Sequence, residues 1–427
     1  MGPGGLNLLS ASEASRQLEQ GAVTSTGLVT DCLARIDARD GDIRAWAYID
    51  RNAALAQARA RDAEPRRGPL HGVPVGIKDI FDTFDMPTSY GSPIYRGHRP
   101  ATDTAAVGLL RHAGAVILGK CVTTEFASPV PSGTRNPHDA ARSPGVSSSG
   151  SAAAVADFQV PLSLGSQTGG STILPASFCG VVGYKASLTG IDRGGIRHLR
   201  PTLDTIGLFA RGINDIALLR SALTGSAPTA DAMRIDGRVR IGVCRSINWM
   251  QAETATQAAL ESAASALARA GAEIVDAEMP DIFNGIEDSF RVISMIEGSR
   301  ALAAELRNHR GSLNDHIRGS SDSARKLDQA AYDTAQLHAL AGKRALAEIF
   351  TRCDVVITPS AAGEAVADLV AVSNSAFNRI WTLMHGPAVS IPAYSGPNGL
   401  PVGLQVVGPI GADDRTIALA GWIWERQ

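Results

Sequence analysis

Two serines, Ser147 and Ser171, lie in separate glycine-rich turns, Gly145-Val-Ser-Ser-Ser-Gly150 and Gln167-Thr-Gly-Gly-Ser171, and Lys78 closes the apolar run Val73-Pro-Val-Gly-Ile77. A serine hydroxyl is a weak nucleophile until a neighbouring base takes its proton, and backbone amides in a glycine-rich turn can hold a developing oxyanion. These residue types can therefore form a Lys-Ser-Ser proton relay. Burial disfavours the ammonium form of a lysine, so Lys78 in an apolar setting could serve as a base near pH 7. A hydroxyl both accepts and donates, as a relay between amine and nucleophile requires, and the run Ser147-Ser148-Ser149 offers one. Ser171 follows Thr168-Gly169-Gly170, whose N–H groups can converge on one oxygen.

Each feature has a plainer alternative. Lys78 could be a solvated strand end partnered by Asp79, one of the serines at 147–149 could cap the helix that follows, and Gly-Gly-Ser could be a simple strand-to-helix turn. The 145–171 stretch is not read as a linker, because it contains an Ala-rich helix (Ser151–Ala156) and an apolar strand (Pro161–Leu164). Other serine-enzyme patterns fail. Neither Ser147 nor Ser171 sits in Gly-x-Ser-x-Gly, no histidine carries a local triad mark, and Ser323-Ala-Arg-Lys326 lies alone in a charged helical pattern. No phosphate loop, dinucleotide fingerprint or His-Glu-x-x-His motif occurs, so neither metal nor cofactor is expected.

The elements that must carry these residues are legible as an alternation. Helical periodicity covers 11–20 and 25–38, the second opening at a Ser25 or Thr26 cap and closing near Gly41. Short apolar strands follow at Val73–Ile77, Ala115–Leu118 and Val160–Leu164, separated by helical runs at 103–112 and 150–157. Residues 225–238 are polar and turn-rich and lead into a strand at Val239–Val243. Long helical patterns then occupy 252–270, 283–307 and 323–350, and strands return at Asp354–Thr358, Pro387–Ile391 and Gly403–Val407. This predicts an α/β fold with a mixed central sheet covered by helices and a helical lid or side lobe. Its parts are a helical N-terminal layer (about 1–65), a catalytic core (about 66–224), the helical lobe (about 245–350) and a segment (about 351–427) that returns to the sheet.

Composition narrows the partners. The 427 residues are 44% hydrophobic and 19% charged, with a net charge of -2. That leaves no basic field for nucleic acid or an anionic membrane. Five scattered cysteines, an N-terminus without a basic and apolar leader pattern, and the lack of any long uncharged apolar run predict a soluble cytoplasmic protein. The expected partner is a small molecule, and homodimerisation stays open.

With these pieces in place the chain resembles the amidase signature family. The matching segments are 71–79 (His-Gly-Val-Pro-Val-Gly-Ile-Lys-Asp), 119–127, 134–139, 143–156, 167–180, 203–211 and 399–408, which together span nearly the whole sequence. The resemblance implies a single α/β/α domain that hydrolyses a carboxylic amide through an acyl-enzyme. By position it makes Ser171 the nucleophile, Ser147 the relay after a cis peptide bond, and Lys78 the base, with Thr168, Gly169, Gly170 and Ser171 offering oxyanion amides.

Three departures from the family pattern shape the expectations. Val146 stands before Ser147 where the family carries glycine. Gln167 replaces the common Asp, as in the malonamidase and biuret-hydrolase-like branch, yet Leu174 stands where that branch tends to carry an arginine for a substrate carboxylate. An uncharged or aryl acyl group is therefore favoured. The 225–238 connection is shortened. Val130, Leu174, Phe377 and Trp381 are the expected substrate walls, with Phe377 and Trp381 equally readable as core residues at i, i+4. The leading function is hydrolysis of a small carboxamide, anilide or urea- or carbamate-like compound. The alternatives are an amidotransferase subunit handing on ammonia with a partner protein, and a binding scaffold without catalysis.

Overall fold

In the computed structural model, described for residues 5–226, 235, 237–369 and 374–427, eleven strands form one mixed sheet. In chain order they are β1 (Trp46–Tyr48), β2 (Pro74–Lys78), β3 (Val116–Cys121), β4 (Leu162–Gln167), β5 (Val182–Lys185) and β6 (Thr205–Ala210). They continue as β7 (Arg240–Val243), β8 (Glu273–Asp276), β9 (Val355–Pro359), β10 (Ala388–Ser395) and β11 (Pro401–Val407). Across the sheet the order is β1-β3-β2-β4-β6-β5-β10-β11-β9-β7-β8. β2 is parallel to both β3 and β4, whereas β4 runs antiparallel to β6. Every residue of β2, β3 and β4 is buried, as expected of strands covered by helices on both faces. Pro74 opens β2, a position where its missing N–H is tolerated.

The helix Ser149–Ala156 packs on β4 and on the helix Ile173–Cys179. Apart from Val155 it consists of Gly, Ser and Ala, which lets backbones approach closely. A Cβ on Gly150 would lie 2.4 Å from the Ala45 carbonyl oxygen, so only glycine fits. Serines sew this helix to the sheet: Ser151 Oγ donates to the Leu164 carbonyl at 2.8 Å and Ser163 Oγ to the Ser151 carbonyl at 2.9 Å.

Several expectations shift. The second helix runs Ser25–Ile43, is capped by Thr24 accepting from the Gly27 N–H, and ends with Arg44 in the left-handed region. The 323–350 pattern belongs to two helices, Asp315–Ala324 and Gln329–Arg352. The second starts afresh because the Asp328 carboxylate accepts from the Ala331 N–H at 2.8 Å. Segment 245–350 is not wholly helical, since Glu273–Asp276 adds β8 to the sheet edge beside β7. A four-residue strand between long helices leaves little period-2 signal. Most of the 225–238 connection lies outside the described residues. No helix among the described residues is long and apolar enough to cross a membrane.

The C-terminal helix Asp413–Trp424 is fastened to β5 by one buried carboxylate. Asp413 accepts from Tyr184 Oη at 2.5 Å, from the Ser187 N–H at 2.8 Å and from Ser187 Oγ at 2.7 Å, and its position in the first helical turn also suits a negative charge. Asp413→Ala strands these donors and is expected to lower stability by about 3 kcal/mol. Urea unfolding of both proteins checks this, and a loss well under 1 kcal/mol would show that the carboxylate does not fasten the helix.

Candidate active site

Lys78 ends β2 and is fully buried, with β3 on one side and β4 on the other. Its amine donates to Ser147 Oγ at 2.6 Å, Ser148 Oγ at 2.9 Å and Ser166 Oγ at 2.8 Å. Three hydroxyl acceptors match the three N–H bonds of an ammonium, but none supplies a counter-charge. Burial therefore dominates and pulls the Lys78 pKa from the ordinary 10.5 down to about 7, with the field of Asp204 opposing it. At neutral pH a large share of the amine is unprotonated and can accept from Ser147.

Asp79 is not the surface partner of Lys78. It is buried, accepts from the Ser89 N–H at 3.1 Å and from Ser89 Oγ at 2.5 Å, and pairs with buried Lys120 at 3.2 Å.

The helix Ser149–Ala156 begins directly after the serines, with Ser148 at its N-cap position. Ser148 is locked to β4 in both directions. Its Oγ donates to the Ser166 carbonyl at 3.1 Å and accepts from the Ser166 N–H at 3.2 Å. Ser147 sits at φ 47° between Val146 and Ser148, and the Ser148 N–H donates back to the Val146 carbonyl at 2.8 Å. This is a three-residue turn around a left-handed residue. The cis bond expected before Ser147 is absent: no cis peptide is found among the described residues. The turn at φ 47° redirects the chain with a trans bond instead.

Ser171 lies in the turn between β4 and the helix Ile173–Cys179. Gln167, fully buried at the end of β4, holds that turn shut. Its Oε1 accepts from the Thr172 N–H at 2.9 Å and the Ile173 N–H at 3.1 Å, and its Nε2 donates to Thr382 Oγ1 at 3.1 Å. A carboxylate could do the first but not the second. Thr168 Oγ1 donates to Asp204 Oδ1 at 2.5 Å and ties the other end. A Cβ on Gly170 would meet Asn378 Oδ1 at 2.6 Å and Ser375 Cβ at 2.7 Å, so the turn presses against the helix Ala376–Leu383. The N–H groups of Gly169, Gly170 and Ser171 have no protein acceptor among the described residues. They are free to bind an anion.

Thr168, Gly169, Gly170 and Ser171 line one cavity of about 580 Å³, with Val146 beside them. Ser147 lies behind that wall on Lys78, and no hydrogen bond joins Ser147 to Ser171 among the described residues. The relay as it stands is closed from Lys78 to Ser147 and open at Ser171, a gap that substrate binding closes in many enzymes.

The expected walls lie elsewhere. Val130 is not a lining residue, whereas its neighbour Pro129 is. Leu174 is fully buried in an apolar cluster with Val146, Phe178, Ala361 and Ala365. Phe377 and Trp381 are core residues of their helix, whose opposite face presents Ser375 and Arg379 to the cavity. Most of the remaining wall comes from 286–323, including Glu287, Phe290, Arg291, Met295 and His316. The cavity therefore contains guanidinium groups, at Arg200, Arg291 and Arg379, even though position 174 supplies none. Ser148 stood in a visible serine run, and Asp204 in a matched segment. Ser166, Thr382 and the 286–323 wall had no local mark.

Comparison with known proteins agrees with this geometry. The Amidase family model matches residues 27–417. The chain is 35% identical to a subunit of the glutamyl-tRNA(Gln) amidotransferase of Anaeromyxobacter sp. (strain K), over 98% of this chain and 96% of that one. Among solved structures, native peptide amidase from Stenotrophomonas maltophilia matches with TM-score 0.84 and 27% identity over 98% and 97% of the two chains. A structure described as an unexpected vestigial protein complex revealing the evolutionary origins of an s-triazine catabolic enzyme matches with TM-score 0.89 and 28% identity, over 98% of each chain.

The buried amine has a measurable cost. A lysine whose pKa falls on folding must lose its proton to fold wherever the pH lies between the two values, so stability rises from pH 7 towards 10.5 and is flat below 7. At pH 7 the cost is on the order of 5 kcal/mol from a shift of this size. Lys78→Met is therefore expected to be more stable than the wild type at pH 7, with the difference shrinking by pH 9. Urea unfolding at both pH values checks it, and parallel pH curves would contradict the neutral amine.

Proposed function

Because the chain belongs to the Amidase family, we propose that it hydrolyses a small carboxylic amide through an acyl-enzyme on Ser171. The observation that carries this reading is the fully buried Lys78 amine bonded to Ser147 behind the cavity that Ser171 lines. Neutral Lys78 takes the proton of Ser147 as Ser147 takes that of Ser171. Ser171 Oγ attacks the amide carbonyl, and the N–H groups of Gly169, Gly170 and Ser171, with Thr168 beside them, receive the oxyanion. The C–N bond then breaks, the proton returns through Ser147 to the leaving nitrogen, and ammonia or an amine departs. Water repeats the sequence on the ester and releases the carboxylate. Ala127, Pro129, Val146, Phe290 and Met295 give the cavity an apolar wall, which favours an uncharged or aryl acyl group against the nucleophile.

A second reading draws on the 35% identity to one component of an amidotransferase. In it the same acyl-enzyme releases ammonia to a partner protein instead of to water. The purified chain alone decides between them, since turnover of simple amides without a partner removes this second reading.

Intact mass after treatment with a fluorophosphonate is expected to show one adduct, located on Ser171 and missing from Ser171→Ala; an unmodified folded protein would refute the mechanism. The kcat/KM for a neutral amide is expected to rise with pH and level off above an apparent pKa of about 7, where Lys78 has lost its proton. A profile flat from pH 5.5 to 8.5 would exclude Lys78 as the base.

A further inference from the structure

The cavity beside Ser171 carries three arginines, and their partners differ. Arg379 lies 3.7 Å from Glu287, and Arg291 lies 2.9 Å from Asp288. The remaining lining acid, Asp315, is paired with Arg318. Arg200 alone among these three has no carboxylate within ion-pair distance among the described residues. Its Nε donates to Ser294 Oγ at 3.1 Å, and its terminal Nη groups have no acceptor among the described residues. The guanidinium lies against the helix Ile286–Ala301, where a Cβ on Gly298 would be 3.3 Å from Nη2.

The carboxylates whose fields reach Arg200 are both engaged elsewhere. Asp204 accepts from Thr168 Oγ1 and from the Leu199 and Arg200 N–H groups. Glu297 accepts from the Thr202 N–H at 3.1 Å, from Thr202 Oγ1 at 2.7 Å and from Tyr332 Oη at 2.7 Å. His316 shares this end of the cavity, and burial together with Arg200 pushes its pKa down, which favours the neutral ring over a second positive charge beside Arg200. Among the described residues Arg200 is thus the one guanidinium of the lining that no carboxylate pairs with, and the planar fork of this half-buried group suits a carboxylate.

We propose that Arg200 binds a carboxylate carried by the substrate, so that the amide cleaved at Ser171 is itself an anion. This rests on the hydrolytic reading above and adds a substrate class to it. Asp204 couples the two ends of the site, because it holds the Arg200 backbone with one oxygen and Thr168, beside the oxyanion turn, with the other. The carboxylate can belong to either half of the amide, as in a dicarboxylate monoamide or an N-acyl amino acid. With an uncharged acyl group against the apolar wall, the second arrangement places it on the amine side.

The test compares isosteric pairs: succinamate with 4-methylpentanamide, and N-benzoylglycine with N-isobutylbenzamide. The wild type is expected to favour the anionic member of at least one pair by roughly 10- to 100-fold in kcat/KM, as one partly buried charge-assisted pair allows. Whichever pair shows it identifies the half that carries the carboxylate. In Arg200→Met that ratio is expected to collapse towards one, and in Arg200→Lys to fall part of the way. A wild-type ratio near one in both pairs, or an unchanged ratio in Arg200→Met, overturns the proposal.

A second readout does not need turnover. Succinate or benzoate at millimolar concentration is expected to slow fluorophosphonate labelling of Ser171 in the wild type and not in Arg200→Met. If no amide is hydrolysed yet this protection is seen, the hydrolytic reading fails and the anion site stands. If amides are hydrolysed without anionic preference or protection, the anion site fails and the hydrolytic reading stands.

Discussion

Keeping an amine uncharged inside a protein requires that carboxylates stay away from it, and this chain arranges its acids around that need. Lys78 is surrounded by the hydroxyls of Ser147, Ser148 and Ser166, which satisfy it without neutralising it. Asp79, one residue along, would restore the ammonium if it turned inward. It lies in the turn that follows β2, where it is taken up by Ser89 and Lys120. Asp204 is the acid whose field still reaches Lys78, and its oxygens are held by Thr168 and by backbone N–H groups. Each acid near the amine has another occupation.

The same economy governs the turn that carries Ser171. Backbone amides can serve an incoming oxyanion only if the chain does not use them itself, so the turn must be shaped from outside. Gln167 and Asp204 do this by clamping its two ends through Thr172, Ile173 and Thr168. Gln167 is neutral and lies at the end of β4, the strand that also positions Ser166 on Lys78. An amide there completes the clamp through Thr382 without adding a negative charge to the region that must stay free of one.

What could be read in the sequence follows from this division. Lys78, Ser147 and Ser171 announce themselves because their chemistry demands particular residue types in short, glycine-rich contexts, and the strands that carry them are continuous apolar runs. The cavity walls do not. Phe377 and Trp381 suggested a wall by their size, yet aromatic residues at i, i+4 on one helix face serve a core equally well, and Ser375 and Arg379 are the residues presented to the cavity. Arg200 sits in a segment with no periodicity, and its significance depends on the carboxylates it lacks, which are set by folds of the chain distant in sequence. The left-handed turn at Ser147 was likewise hidden, since one backbone angle leaves no pattern in residue types.

Leu174 carries a consequence for how this lineage can change. Its side chain is packed with Val146, Phe178, Ala361 and Ala365, so an arginine introduced there would carry its charge into an apolar cluster, where an unpaired charge is costly. The four neighbours come from three separate stretches of chain, so the surroundings of position 174 are not set by any one segment. A charge at position 174 is thereby coupled to the residues packed around it, whereas the cavity rim, where Arg291 and Arg379 already stand, carries charge without disturbing that cluster.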